Sequence, residues 1–153
     1  MEFITRLTAI IFVTISPFIM VAVHGSEYSL SAYWTTPFQP MFILSNAITS
    51  YFFFSTPSWK LPGIFLMLLT GFSVAQYPII HDVLAVSFFI SCAIVLYKSH
   101  HFNYYLYIYI AMVFIIPFTM LWGEIFGIII LCAYHARLLF YKRMLDNRRN
   151  KIK

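Results

Sequence analysis

The sequence predicts an all-α protein, an integral membrane bundle of six transmembrane helices with both termini in the cytoplasm. Three observations carry that prediction. Only 10% of the 153 residues are charged, while 61% are hydrophobic and 20% aromatic; an ordinary soluble domain has about a quarter charged residues. The apolar residues fall into successive runs of bilayer-crossing length, roughly 17 to 25 residues each. The charges in the connections between these runs alternate in sign along the chain.

The runs cover 4–24, 38–55, 61–80, 82–98, 104–121 and 123–142. They define a transmembrane domain over 1–142, followed by a basic cytoplasmic tail at 143–153. Inside hydrocarbon every backbone N–H and C=O must be satisfied within its own segment, so each run reads as a helix. The first run ends in Val23-His24-Gly25-Ser26, small residues that would also suit a signal-peptide cleavage site. Its apolar part is long for a signal sequence, and a retained first span is expected. The later connections are very short, which makes sequential helices antiparallel neighbours. Six crossings put Arg6, Lys60, Lys98 and the tail on one side, and Glu27, Asp82 and Glu124 on the other. The positive-inside rule makes the first side cytoplasmic. A five-span count would scatter these charges over both faces.

The formal net charge is +5, and seven of the ten Lys and Arg residues lie between Arg137 and Lys153. That clustering fits a membrane flank and not a nucleic-acid groove, so no nucleic-acid partner is expected. Cys92 and Cys132 fall inside predicted spans without CxxC spacing and read as free thiols.

The polar residues within this apolar chain are few. The first connection, Gly25 to Pro37, holds Glu27, Tyr28, Tyr33, Trp34, Thr35 and Thr36, either interfacial anchors or a lid over the outer helix ends. Asn46, Thr49 and Ser50 form a stripe on the second span, suited to interhelical hydrogen bonds or to a polar cavity. Gly71 and Ser73 would permit close approach of the third span, with Gln76 near its outer end. Asn46, Ser50, Gln76 and His135 are the expected intramembrane polar packing residues. In the last span Glu124, Gly127, Ile128, Leu131 and His135 share one helical face. Glu124 and His135 lie about 16 Å apart along it, too far to ligate one metal ion.

The stretch Gln76-Tyr77-Pro78-Ile79-Ile80-His81-Asp82-Val83-Leu84-Ala85 reads as a hairpin at the membrane face. Burying an ionisable group costs roughly 2.5–3.5 kcal/mol at the bilayer centre, and much less near the edge. Asp82 and Glu124 therefore have two readings. They cap the N-termini of inward-running helices, or they converge with His81, and with Glu27 or His24, into one outer polar site; the two readings are compatible.

His81-Asp82-Val83-Leu84-Ala85 with the downstream Phe89 resembles the histidine–aspartate–x–glycine–alanine motif and following phenylalanine of the damage-regulated autophagy modulator (DRAM) family of six-span membrane proteins, which includes lipid-remodelling relatives. Gly71-Phe72 resembles that family's preceding glycine–phenylalanine, and the long first connection and Glu124 also fit. Leu84 stands where the family has glycine. The resemblance covers about a dozen positions, and implies a non-enzymatic membrane protein that acts on or responds to lipid.

The expected function is thus that of a lipid-associated, non-enzymatic polytopic membrane protein, in a plasma (inner) membrane more than an endomembrane. Membrane lipids are its expected partners. The alternative is an accessory or assembly subunit packed among other membrane protein subunits. Lys142, Arg143, Arg148, Arg149, Lys151 and Lys153 would contact anionic lipid, at roughly 1 kcal/mol per residue near the surface, or serve topology alone. A zinc hydrolase needs about three converging ligands, and haem needs histidines on facing helices at matched depth. His24 and His81 share one boundary and His100 and His101 the other, without a mid-depth pair, so neither metal nor cofactor is expected.

Overall fold

The computed structural model describes residues 2–99 and 103–152, and among them the regular secondary structure is entirely helical. Six α-helices follow in order: α1 Glu2–His24, α2 Gln39–Phe54, α3 Lys60–Gly71, α4 Pro78–Lys98, α5 Asn103–Ile115 and α6 Met120–Ile152. Short 3₁₀ turns at Leu30–Thr35 and Pro57–Trp59 precede α2 and α3. Phe3–His24 of α1, Pro78–Lys98 and Met120–Arg149 of α6 are each long and apolar enough to cross a membrane.

Each helix packs on the next, and α6 returns to pack on α1, so the six form a closed ring. Contacts at the helix ends show that neighbours run in alternating directions. Phe3 at the start of α1 meets Phe140 late in α6, edge-on at 5.3 Å. At the opposite end the Leu121 N–H donates to the Tyr28 carbonyl, 3.1 Å away. Ser99, just past α4, accepts from Tyr134 Oη at 2.7 Å, and Arg137 donates to Tyr104 Oη at the start of α5.

This alternation sorts the charges. Arg6, Lys60, Lys98 and the basic part of α6 gather at one end of the bundle; Glu27, Asp82 and Glu124 gather at the other. At the basic end Trp59 is wholly buried. Its ring lies 4.8 Å from Phe53, 5.5 Å from Tyr134 and 4.5 Å from His135. It joins α2, the α2–α3 turn and α6 in one aromatic core. A second core at the acidic end gathers Met20, Leu30, Tyr33, Phe42, Leu121 and Ile125.

Prolines and glycines set the breaks. Pro78 opens α4, a position where its missing N–H costs nothing. The turn therefore occupies Phe72–Tyr77, and α3 stops at Gly71, well short of the expected 80. Pro117 ends the next run early, because the residue before proline is pushed out of the α region; α5 closes at Ile115 and α6 opens at Met120. Pro17 lies inside α1 and leaves the Val13 carbonyl without its helical donor. The Ser16 hydroxyl donates to that carbonyl at 3.3 Å, and its oxygen stands 3.0 Å from Ser45 Oγ on α2. The region expected as a tail continues α6 as helix to Ile152.

The close-approach glycine of α3 is Gly63, not Gly71. A Cβ on Gly63 would lie 3.0 Å from Phe53 Cβ, whereas one on Gly71 meets nothing within 4 Å. Gly123 is tighter still: a Cβ there would fall 2.6 Å from Ile116 Cγ1 and 3.0 Å from Ile116 Cα. Gly123→Ala should destabilise the protein by about 1–3 kcal/mol through overpacking, while Gly71→Ala should be tolerated. Thermal melts of the two variants in the same detergent check this.

Candidate functional site: a central cavity under a latched lid

The ring bounds a partly open cavity of about 500 Å³, within the 300–1,000 Å³ range of small-molecule sites. Its walls come from α1, α2, α3, α4 and α6 and are mainly apolar, with Val13, Phe42, Phe88 and Leu131 among them. The face of α6 that carries Glu124, Gly127, Ile128, Leu131 and His135 is the face that lines it, and Lys142 continues the same wall. The periodicity that puts these residues on one stripe thus also decides what the cavity sees.

The first connection is a lid at the acidic end, where Leu30 and Ser31 form the roof of the cavity. Glu124, half-buried, accepts the Leu30 backbone N–H at 2.6 Å. Tyr33, wholly buried, donates from its hydroxyl to the Gly25 carbonyl at 2.6 Å. Burial pushes the Tyr33 phenol above its ordinary pKa, which keeps the proton that this bond needs. Gly25, with φ +102, supplies the left-handed residue that turns the chain out of α1. His24 Nε2 stands 3.1 Å from Glu27 Oε1, and its ring lies edge-on to Tyr33 and Phe38. Tyr28 is exposed, but Tyr33 is core.

The expected outer cluster is only partly assembled. His81 and Glu124 line the same cavity, and each is engaged by backbone. His81 Nδ1 lies 2.7 Å from the Phe72 carbonyl and ties the start of α4 to the end of α3. Asp82, one residue on, is exposed. Glu27 pairs with His24, lies beside the α5–α6 turn and does not line the main cavity. Neither carboxylate caps its own helix: α4 begins at Pro78 with Tyr77 as the flanking residue and no side-chain cap, and Glu124 binds Leu30.

The other singled-out residues divide in the same way. Asn46 lines the cavity. Ser50 is fully buried, with no partner for its Oγ. Thr49 donates to the Ser45 carbonyl within α2 and not across to another helix. Gln76 is exposed in the α3–α4 turn, outside any helix, because α3 ends five residues before it. His135 packs between Phe53 and Trp59, and its Nε2 has no partner. Lys142, Arg143, Arg148 and Arg149 are exposed on α6, and the Arg143 guanidinium sits 4.2 Å over the Phe3 ring. His100, His101 and Lys153 lie outside the described residues. Among the described residues no three His, Cys, Asp or Glu side chains come together as metal ligands would.

Arg6 and Trp59 are the residues that sequence reasoning passed over. Arg6 served only as a topology marker, yet it lines the cavity at the basic end. Trp59 falls in a short connection with no periodicity to flag it. Comparison with protein-family models, curated proteins and solved structures finds no match.

The latch makes a direct prediction. Glu124→Ala should raise amide hydrogen exchange at Leu30 by about 2- to 10-fold, since it removes a hydrogen bond with a net contribution of about 0.5–1.5 kcal/mol. Glu124→Gln keeps an acceptor oxygen and should have a smaller effect.

Proposed function

We propose that this chain is a non-catalytic, multi-pass membrane protein that crosses the bilayer six times and holds a lipid-like molecule in its central cavity. The cavity carries the reading. A chiefly apolar space walled by apolar helices, three of them long enough to cross a membrane, suits a hydrocarbon chain better than a polar metabolite, whose hydrogen-bonding groups would go unsatisfied there. The resemblance of His81 to Ala85 and Phe89 to the DRAM motif supports the same class.

Three of the six crossings rest on α1, α4 and α6. The shorter α2, α3 and α5 complete the others as members of the same ring. With the basic end in the cytoplasm, the distribution of Arg6, Lys60, Lys98 and the basic part of α6 accords with the positive-inside rule. Ser26→Cys should react with a membrane-impermeant maleimide on intact cells, and Asn147→Cys only after permeabilisation. Labelling of Asn147→Cys but not Ser26→Cys from outside would overturn the orientation, and labelling of both would overturn the six-span count.

A second reading, an accessory subunit, draws on the short helices. α3 has 12 residues and α5 has 13, about 18 and 20 Å of helix against a hydrocarbon core of ~30 Å. Both present exposed apolar side chains, such as Ile64 and Met67 on α3 and Tyr107 and Phe114 on α5. A partner chain would cover them and relieve the mismatch. One experiment separates the readings: native mass spectrometry of the wild type and Ala9→Phe, purified in mild detergent. Ala9 lines the cavity, so a phenylalanine there should reduce retained lipid. Lipid retained equally by both chains would count against the cavity, and a stoichiometric partner chain would favour the subunit reading.

A further inference from the structure

The cavity is chemically polarised. At the acidic end its polar groups already have partners: Glu124 holds Leu30, His81 holds Phe72, and the lid lies across the opening. A headgroup there would have to displace backbone hydrogen bonds. At the basic end the lining includes Arg6 and Lys142. Among the described residues Glu124 is the only carboxylate in the lining, and it sits 18 residues from Lys142, roughly 27 Å along α6. Between the ends stand apolar side chains and His135, whose unpartnered Nε2 lies two helical turns short of Lys142.

Volume bears on the occupant. A methylene takes roughly the space of a liquid water molecule, ~30 Å³, so about 500 Å³ has room for a hydrocarbon chain of at least on the order of fifteen such groups. We propose that the cavity binds an amphiphile with a single hydrocarbon chain and an anionic headgroup, the chain directed toward Glu124 and the headgroup held by Arg6 and Lys142. The proposal rests on the lipid-chain reading of the cavity and adds charge selectivity and orientation to it. Long side chains at a helix end suit that role, because their stems cover apolar surface while their charges reach the polar boundary. The Arg6 guanidinium, 5.9 Å over the Phe52 ring, stands at such a boundary. A fatty acid and a lysophospholipid share this chemistry and differ in the anion, carboxylate against phosphate.

The test is a titration of the full chain in mild non-ionic detergent, read by native mass spectrometry. Three probes share one chain length: palmitate, palmitoyl-lysophosphatidylglycerol and uncharged monopalmitoylglycerol. At least one anionic probe should bind ~10-fold or more tightly than monopalmitoylglycerol, as expected for loss of a charge-assisted contact. Preference for palmitate identifies a carboxylate ligand, and preference for the lysolipid a phosphate; either supports the proposal. In the Arg6→Gln/Lys142→Gln double variant the ratio of anionic to uncharged binding should fall toward one. The charge-preserving Arg6→Lys/Lys142→Arg variant should restore it. Equal binding of all three probes by the wild type, or an undiminished preference in the double glutamine variant, overturns the charge selectivity but leaves the chain site standing. If none of the probes binds the wild type, both readings fail.

Discussion

The packing of α6 against α1 is the contact on which the rest of this protein depends. Five sequential antiparallel contacts would make only a curved palisade, with the polar stripe of α6 facing the surroundings. The return of α6 to α1, through Phe3 on Phe140, Arg143 over Phe3 and the Leu121–Tyr28 backbone bond, closes the palisade into a ring. Closure turns the stripe from Glu124 to Lys142 inward and creates the cavity. It also presents Glu124 to the lid, since the Leu30 N–H can reach that carboxylate only when α1 delivers the first connection beside the start of α6.

The two ends of the ring use their polar groups differently. At the acidic end Glu124 and His81 serve as acceptor and tether for backbone groups that would otherwise be orphaned where the chain leaves regular helix. Their chemistry is absorbed by architecture. At the basic end the aromatic core around Trp59 joins α2 to α6, and Arg6 and Lys142 bring two positive charges to the border of the cavity. A site that discriminates by charge is therefore better placed at the basic end, although the motif-like histidine–aspartate pair lies at the other.

Much of this was legible along the chain, and the failures have identifiable causes. The cavity-facing stripe of α6 follows from a 3.6-residue period that folding cannot alter. The lid could be anticipated from the one long connection. The turn after α3 was misplaced because Leu66 to Ile80 is apolar on either side of it, so hydropathy carried the helix through Phe72–Tyr77; Pro78 as a first helical residue was the available signal. The same blindness hid Pro117. Gly63 and Gly71 are equivalent to a sequence reader, and only the approach of Phe53 distinguishes them. Asp82 and His81 are adjacent, but successive helical residues point about 100° apart, so one faces the cavity while its neighbour is exposed.

The sequence by itself determined the helical class, the apolar lengths of α1, α4 and α6, the segregation of charge along the chain and the composition of the α6 stripe. All of these are local properties, set by hydropathy, period and backbone chemistry. Tertiary structure alone decided that α6 closes the ring on α1, that Glu124 binds the lid and caps no helix, and that Arg6 shares a cavity with Lys142. Those facts depend on residues more than ninety positions apart meeting in space. Hydrophobicity cannot choose among such meetings, because it is non-directional; shape, hydrogen-bond geometry and the limited length of each connection make the choice.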